Sequence, residues 1–221
     1  MSLILWGRRS SANVQKVLWA LAELGLPFER RVVGGQFGGV DDAAYRAMNP
    51  NALVPALQDG ALTLFESDAI LRHLARTRGM GTLWPADPAH AARADMWTVW
   101  ASGTLNGAIA PIFFATVRKP RAEQDVAALR PAAATLAARV ALLDAALAGR
   151  DWLCGDAFSF GEIAPAIFAR RAANLPFGAA SGANVAAWLS RMADRPGWSD
   201  WVDVPTGSCL EEWTAHEKAL G

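Results

Sequence analysis

Residues 49–74, NPNALVPALQDGALTLFESDAILRHL, limit the possible folds of this chain more than any other segment. Two apolar-rich runs, 54–58 and 61–64, flank the dipeptide Asp59-Gly60, which is a strong signal for a two-residue β-hairpin. A helix then begins in the acidic and hydroxyl-bearing residues 66–68 and presents one apolar face. The segment therefore predicts an antiparallel ββα unit.

Pro55 gives this unit an unusual strand. A proline that opens a strand gives up one hydrogen bond of the ladder, because it has no N–H. The backbone of its neighbour, Val54, then becomes available to a partner other than the sheet. The chain thus predicts a strand end that is left open.

The residues upstream of this unit alternate between strand and helix. Residues 3–6 form a short apolar run typical of a buried strand, and residues 28–33 supply a second strand. Between them, apolar residues recur at helical spacing from Val14 to Leu21. With a short helix predicted near 41–48, the order βαβ, α, ββα is that of a thioredoxin-like fold.

The composition changes near Gly79, and no convincing strand follows. We predict a thioredoxin-like domain over 1–78, a Gly- and Pro-containing linker over 79–88 and an all-α domain over 89–221. The chain is long enough for two small domains, each with its own core.

Helical patterns run through the second of these domains. We expect helices over 89–117, bent or broken near Pro111, and over 122–147. Ser159 and Glu162 match a capping box at the start of another helix.

The composition excludes several classes of partner and site. Lysine plus arginine and aspartate plus glutamate both number 21, so the net charge of zero favours neither nucleic acid nor an anionic membrane surface. No apolar run approaches a spanning length, and we expect a soluble, cytoplasmic protein. The two cysteines form no CxxC motif and the three histidines are scattered, so we predict no metal site.

The segments NPNALVPAL, the DG hairpin and FESDAILRHLA resemble the N-terminal domain of glutathione S-transferases. With SSANVQKVLWALAELGLPFE upstream, the chain is most similar to the bacterial theta-like and nu-like members, and GDAFSFGEIAPAIF resembles the helical domain of the same family. The resemblance implies the glutathione S-transferase fold and glutathione as co-substrate. It also implies a small hydrophobic electrophile as second substrate and a homodimer.

The resemblance also implies a glutathione-binding set. It assigns Val54 and Pro55 to a cis peptide bond whose valine backbone pairs with the cysteinyl unit of glutathione, and Glu66 and Ser67 to its γ-glutamyl end. A carboxylate is favoured at a helix N-terminus, which agrees with the second assignment. The alternative for Glu66 and Ser67 is an ordinary helix-start signature.

The resemblance places the catalytic hydrogen-bond donor in the loop before the first helix. We predict Ser11 as the donor to the glutathione thiolate, with Asn13 assisting and Ser10 as the competing hydroxyl. The alternative is that these residues only cap the helix. This loop contains no cysteine, so the nucleophile must be the thiol of glutathione itself.

Leu53 departs from the family pattern, which often has a basic or amide residue there for the glycyl end of glutathione. Arg8, Arg9 or Gln36 could replace that contact, or the two arginines could form a solvated loop face.

For the electrophile, an apolar wall could be formed by Trp6, Trp97, Trp100, Phe113 and Phe114, although aromatic residues at helical spacing are more often core. The same bound thiolate would also serve a glutathione-dependent disulfide reductase, peroxidase or dehalogenase. The remaining alternative is a non-catalytic binding or stress protein that has kept the fold.

Overall fold

The computed structural model describes residues 2–177 and 179–221, so Met1 and Gly178 of the two predicted domains lie outside the described residues. Its N-terminal half contains a four-stranded mixed sheet with the strand order β2-β1-β3-β4. β1 runs parallel to β2 and antiparallel to β3, and β4 is antiparallel to β3. The strands are β1 (Leu3–Trp6), β2 (Phe28–Arg31), β3 (Ala56–Asp59) and β4 (Leu62–Phe65).

Helices cover both faces of this sheet. α1 (Ala12–Glu23) and α3 (Ser67–Arg78) pack together with Leu3, Leu5 and Leu57 in the main core. Alternate strand residues point to the other face, where Trp6 and Ala56 join a smaller cluster with Tyr45 of α2 (Ala43–Met48). The predicted order of a thioredoxin-like fold is therefore confirmed.

The opening segment differs in detail from its prediction. Asp59 pairs with Leu62 across the hairpin, so the two loop residues are Gly60 and Ala61, one position later than predicted. Gly60 has a φ of +61°, the left-handed conformation that such a turn needs. Pro55 lies immediately before β3 rather than inside it, in agreement with its missing N–H.

The C-terminal half is helical, and its central helix, α7, is buried along most of its length. α7 packs closely against α4 and also contacts α1 of the other half. Within the described residues, no helix combines the length and apolar character required to span a bilayer. The helices are α4 (Pro88–Trp100), α5 (Asn106–Ala115), α6 (Arg130–Ala146), α7 (Phe160–Asn174), α8 (Ala183–Ala193) and α9 (Leu210–Leu220).

Two helix boundaries differ from the prediction. The helix predicted over 89–117 is interrupted by a π turn over Ala101–Leu105, and Pro111, where a bend or break was expected, lies inside α5. The next helix begins at Arg130 instead of 122, because the preceding residues turn around the amide of Gln124. That amide donates hydrogen bonds to the carbonyls of Thr116 (3.0 Å) and Ser208 (3.0 Å), which a helix could not provide.

The predicted capping box is wrong in its contacts. Ser159 is the N-cap of α7, but its side chain makes no capping hydrogen bond. Glu162 is fully buried and accepts hydrogen bonds from the amide of Leu153 (2.9 Å), the amide of Cys154 (3.1 Å) and Nε1 of Trp188 (2.9 Å). Burial raises the pKa of Glu162 to about 7, although these hydrogen bonds oppose the shift.

Candidate active site

The register of the sheet brings the predicted site segments to one edge. Trp6 at the end of β1 pairs with Ala56 at the start of β3, and Ala56 pairs with Phe65 at the end of β4. The loop after β1, the residues before β3 and the start of α3 therefore begin side by side. Those three segments contain Ser11 and Asn13, Val54 and Pro55, and Glu66 and Ser67.

Ser11 occupies the N-cap position of α1, and its side chain makes no capping hydrogen bond within the described residues. The hydroxyl therefore remains free for a ligand, and it lines a cleft between the two halves of the chain. Ser10, its competitor, is buried and donates to Oε1 of Glu217 at 2.6 Å. Asn13 lies exposed in the first turn of α1 and lines the same cleft.

The Val54-Pro55 peptide bond is cis, as the resemblance implied. The preceding carbonyl, that of Leu53, accepts hydrogen bonds from Oη of Tyr45 (2.7 Å) and from Nδ2 of Asn49 (2.7 Å). Within the described residues, the amide and carbonyl of Val54 take part in no turn or loop hydrogen bond. These contacts fix the segment while leaving the Val54 backbone available.

Glu66 is the N-cap of α3 and has a φ of +67°, which is uncommon for a residue other than glycine. Such a conformation costs about 1–3 kcal/mol and occurs often at ligand sites. The buried Ser67 follows as the first residue of α3, where unpaired N–H groups favour an anion. Glu66 thus offers a carboxylate, and Ser67 lies at a helix N-terminus, where an anion is favoured.

Lys16 contacts the first turn of α3 and was not predicted to be part of the site. Its ammonium donates to Oγ of Ser67 (3.3 Å), to Oδ1 of Asp68 (2.7 Å) and to Oγ of Ser102 (2.7 Å). Burial lowers the pKa of Lys16, and Asp68 partly offsets that effect. Because Ser102 belongs to the π turn after α4, the lysine connects the sheet edge to the helical half.

The cleft, with a volume of about 160 Å³, has an apolar wall on the helical side. Phe113 and Phe114 line it, in agreement with the sequence-based suggestion. The other suggested aromatics do not line it: Trp97 and Trp100 contact each other, and Trp6 contacts Tyr45. Ile109, Ala110, Phe168 and Trp213 complete the wall.

The polar residues suggested for the glycyl end of glutathione all contact the C-terminal segment instead. Nε of Arg8 pairs with Glu217 at 2.7 Å, and Nε2 of Gln36 donates to the carbonyl of Thr214 at 3.2 Å. The guanidinium of Arg9 lies 5.4 Å from the ring of Trp201. The side chain of Leu53 itself is 66% exposed.

Sequence reasoning missed Glu217, Trp213 and Arg171 as neighbours of the loop before α1. Arg171 donates to the carbonyl of Ser10 at 2.9 Å across 161 positions, and Glu217 reaches Ser10 across 207. No local pattern carries contacts at such separations. The resemblance that singled out Ser11 and Asn13 could locate the loop but not its partners.

Comparison with known proteins agrees with this geometry. Residues 10–77 match the glutathione S-transferase N-terminal domain, and residues 105–196 match the glutathione S-transferase C-terminal domain. Glutathione S-transferase GstB of Escherichia coli is 42% identical over 92% of this chain and 99% of its own length. Glutathione S-transferase 3 of Zea mays is 33% identical over 90% of this chain and 93% of its own length.

Solved structures give the same result. The theta class glutathione S-transferase from Xanthomonas axonopodis pv. citri, with glutathione bound, superimposes with a TM-score of 0.87 and 39% identity over 93% of this chain and 99% of that one. Glutathione transferase F7 from Populus trichocarpa gives a TM-score of 0.77 and 27% identity over 89% and 96%. The chain belongs to the glutathione S-transferase family.

Proposed function

We propose that this protein binds glutathione at the sheet edge, activates its thiol with Ser11 and transfers it to a small hydrophobic electrophile. One observation carries the proposal: an uncommitted hydroxyl at the N-terminus of α1 shares an edge with Val54-Pro55 and with Glu66-Ser67. The solved relative that contains glutathione and the names of the similar proteins support the same ligand and reaction.

The tripeptide would be held by groups that the sheet and helices leave unpaired. The cysteinyl unit of glutathione would pair with the Val54 backbone as an added strand does, through main-chain hydrogen bonds. The α-carboxylate of the γ-glutamyl unit would lie at the N-terminus of α3 and accept from Ser67. The Oγ of Ser67 already accepts from Lys16, so its own proton is available for donation. Glu66 would pair with the ammonium group of the same γ-glutamyl unit.

Ser11 would then act on the sulfur. A free thiol with a pKa near 8.5 is mostly protonated at neutral pH, and lowering that pKa by about two units stabilises the thiolate by about 2.7 kcal/mol. A hydroxyl donor supplies part of this free energy. The N-terminus of α1 supplies a further part, because its unpaired N–H groups favour an anion. Asn13 assists from the first turn. The thiolate then forms the C–S bond with the electrophile.

The remaining features of the proposal follow from the family and the sequence. We assign residues 1–78 to the glutathione-binding domain, 79–88 to the linker and 89–221 to the helical domain. The protein would act in the cytoplasm as a homodimer, without a metal ion and without nucleic acid or membrane as a partner.

The proposal is tested by titrating the ultraviolet absorbance of the bound thiolate against pH, with glutathione affinity measured by calorimetry in the same samples. We expect a thiol pKa about two units below the free value, and Ser11→Ala should raise it towards that value while the affinity changes little. Asn13→Ala should raise it less, and Ser10→Ala is the matched hydroxyl control.

The outcomes separate the alternatives. An unchanged pKa in Ser11→Ala, with a rise in Ser10→Ala or Asn13→Ala, would transfer the role to that residue. If wild-type protein does not bind glutathione, the catalytic proposal is wrong and the fold serves another purpose.

A further inference from the structure

A cationic cluster of side chains borders the cleft. The cluster consists of Arg8 and Arg171, which line the cleft, of Arg118, whose guanidinium lies 5.4 Å from the ring of Trp213, and of Glu217, which is buried and pairs with Arg8. Arg8 pairs with Glu217, whereas Arg118 and Arg171 pair with no carboxylate within residues 2–177 and 179–221. The cluster therefore carries a net charge of about +2 in a protein whose overall charge is zero.

Arg171 is the most exceptional member of the cluster. It lines the cleft beside Ser11, and its guanidinium lies 5.3 Å from the ring centroid of Phe113. Burial, with a further contribution from Arg170 and Arg8, lowers the pKa of Arg171 to about 9, so the group remains cationic at neutral pH. Arg171 is partly exposed, so an anion in the cleft can reach its free N–H groups, and a guanidinium largely withdrawn from water ordinarily pairs with an anion because desolvating an unpaired charge is costly.

The hydrogen bonds of Arg171 leave most of its capacity unused. Its one side-chain hydrogen bond within the described residues goes to the carbonyl of Ser10, at 2.9 Å, whereas a guanidinium has five N–H donors. Its neighbour Arg170 differs, because it pairs with Asp203 at 2.6 Å and also donates to the carbonyl of Val204. Arg170 is therefore paired with a carboxylate, whereas Arg171, beside the cleft, pairs with none in the part of the chain that the structure describes.

Trp213 contributes a second aromatic ring to the cleft. It lines the cleft, the guanidinium of Arg118 lies 5.4 Å from its ring, and its Nε1 is buried without a hydrogen-bond partner within the described residues. Buried indole N–H groups ordinarily have a partner. The cleft thus joins the rings of Phe113 and Trp213 to the unused donors of Arg171.

We propose that the electrophile of this transferase is an aromatic compound with a carboxylate group, and that Arg171 binds that carboxylate while Phe113 and Trp213 contact the ring. This inference rests on the proposed function and specifies its second substrate. Arg171 donates to the residue next to Ser11, so it can hold the acceptor close to the position proposed for the thiolate. The carboxylate would supply the anion that Arg171 lacks.

A chlorodinitrobenzoate provides a balanced test reaction. The glutathione thiolate attacks the ring carbon that carries chlorine and forms a C–S bond. The C–Cl bond then breaks, chloride leaves with the electron pair, and the thiol proton has already passed to solvent. No oxidant or reductant is required.

The test compares 4-chloro-3,5-dinitrobenzoate with 4-chloro-3,5-dinitrobenzamide at saturating glutathione. The ratio of their kcat/KM values in Arg171→Met should fall about 10- to 100-fold below the wild-type ratio, as expected for the loss of a charge-assisted pair. Arg171→Lys, which keeps the charge without the fork geometry, should recover part of the ratio. Arg170→Met, the matched control on the same helix, should leave it unchanged. A folded Arg171→Met protein with the wild-type ratio would overturn the inference.

A second measurement uses wild-type protein and therefore does not depend on the folding of a variant. Calorimetry of the two preformed S-aryl glutathione conjugates should show the carboxylate form binding at least about tenfold tighter than the amide form. Equal affinities would overturn the carboxylate site. If both acceptors react without preference, the transferase proposal stands and this inference is wrong. If neither reacts but the carboxylate conjugate binds tighter, the site stands and the transferase proposal is wrong.

Discussion

The two walls of the cleft are built by different means. The sheet-edge wall consists of residues 8 and 10–13, which line the cleft, and of the adjoining segments 54–55 and 66–67, which the register of three adjacent strands places beside them. The helical wall uses side chains from residues 106–213, and the contact between Glu217 and Ser10 ties it to the loop before α1. Backbone register leaves little freedom in the first wall, whereas exchange of single side chains can change the second.

This difference separates two functions of the site. A wall made of main-chain groups suits a constant ligand such as glutathione, because substitutions rarely alter its hydrogen bonds. A wall of aromatic and cationic side chains suits a variable electrophile, whose recognition can be changed without disturbing the first wall.

The largest effect is expected where the sheet-edge wall is supported by one side chain. Lys16→Met removes the ammonium that contacts Ser67, Asp68 and Ser102 and leaves Asp68 without its partner. We expect the free energy of unfolding to fall by about 3 kcal/mol, because removing one member of a buried ion pair is strongly destabilising. Urea denaturation measures the change.

Lys218→Met, an exposed lysine on α9, is the control and should leave the stability unchanged. The double variant Lys16→Met with Asp68→Leu should recover part of the loss, because neither charge then remains. If Lys16→Met is as stable as wild type, the sheet-edge wall does not depend on this lysine.

An intermediate effect is expected at the support of the helical wall. Glu217→Gln removes the charge that pairs with Arg8 and accepts from Ser10, and we expect a loss of about 2 kcal/mol in stability. Thermal and urea unfolding give the value, and the exposed Glu211→Gln on the same helix is the control, expected to match wild type. A stable Glu217→Gln protein would show that the charge of Glu217 is not needed to hold α9 to the loop before α1.

A separate effect is a pH response that arises in the helical half. Because burial raises the pKa of Glu162 to about 7, the folded protein holds this proton at pH values where the unfolded chain, with a pKa near 4.5, has lost it. Stability relative to Glu162→Gln should therefore increase as the pH falls from about 7 to 4.5, by at most about 1.4 kcal/mol per pH unit. Unfolding curves of both proteins across this range give the slope. A pH-independent difference would mean that the three N–H donors keep Glu162 ionised.

Local patterns predicted the sheet-edge wall because its determinants are local. The hairpin, the proline before β3 and the acidic helix start lie within one segment, and the strand pairing brings them beside Ser11. The capping box shows the limit: Ser159 was located correctly as a helix start, but the contacts of Glu162 depended on Trp188, which belongs to another helix.

The helical wall could not be predicted, because its arrangement depends even more on contacts between residues that are distant in the sequence. Phe113 and Phe114 were among several aromatic residues with similar spacing, and only the packing of α5 decided that they, and not Trp97 and Trp100, line the cleft. The cationic cluster combines residues near 8, 118 and 171, which no motif connects.

The ammonium of Lys16 contacts both the residue proposed to bind the γ-glutamyl carboxylate and the π turn of the helical half. If Ser67 binds glutathione as proposed, occupancy of that site and the contact between the sheet edge and the helical half would be thermodynamically coupled through this lysine. Coupling free energies are reciprocal, so whatever glutathione contributes to docking of the domains, docking contributes equally to its affinity. A substitution far from the cleft that loosens the domain contact should therefore weaken glutathione binding without touching any atom of the site.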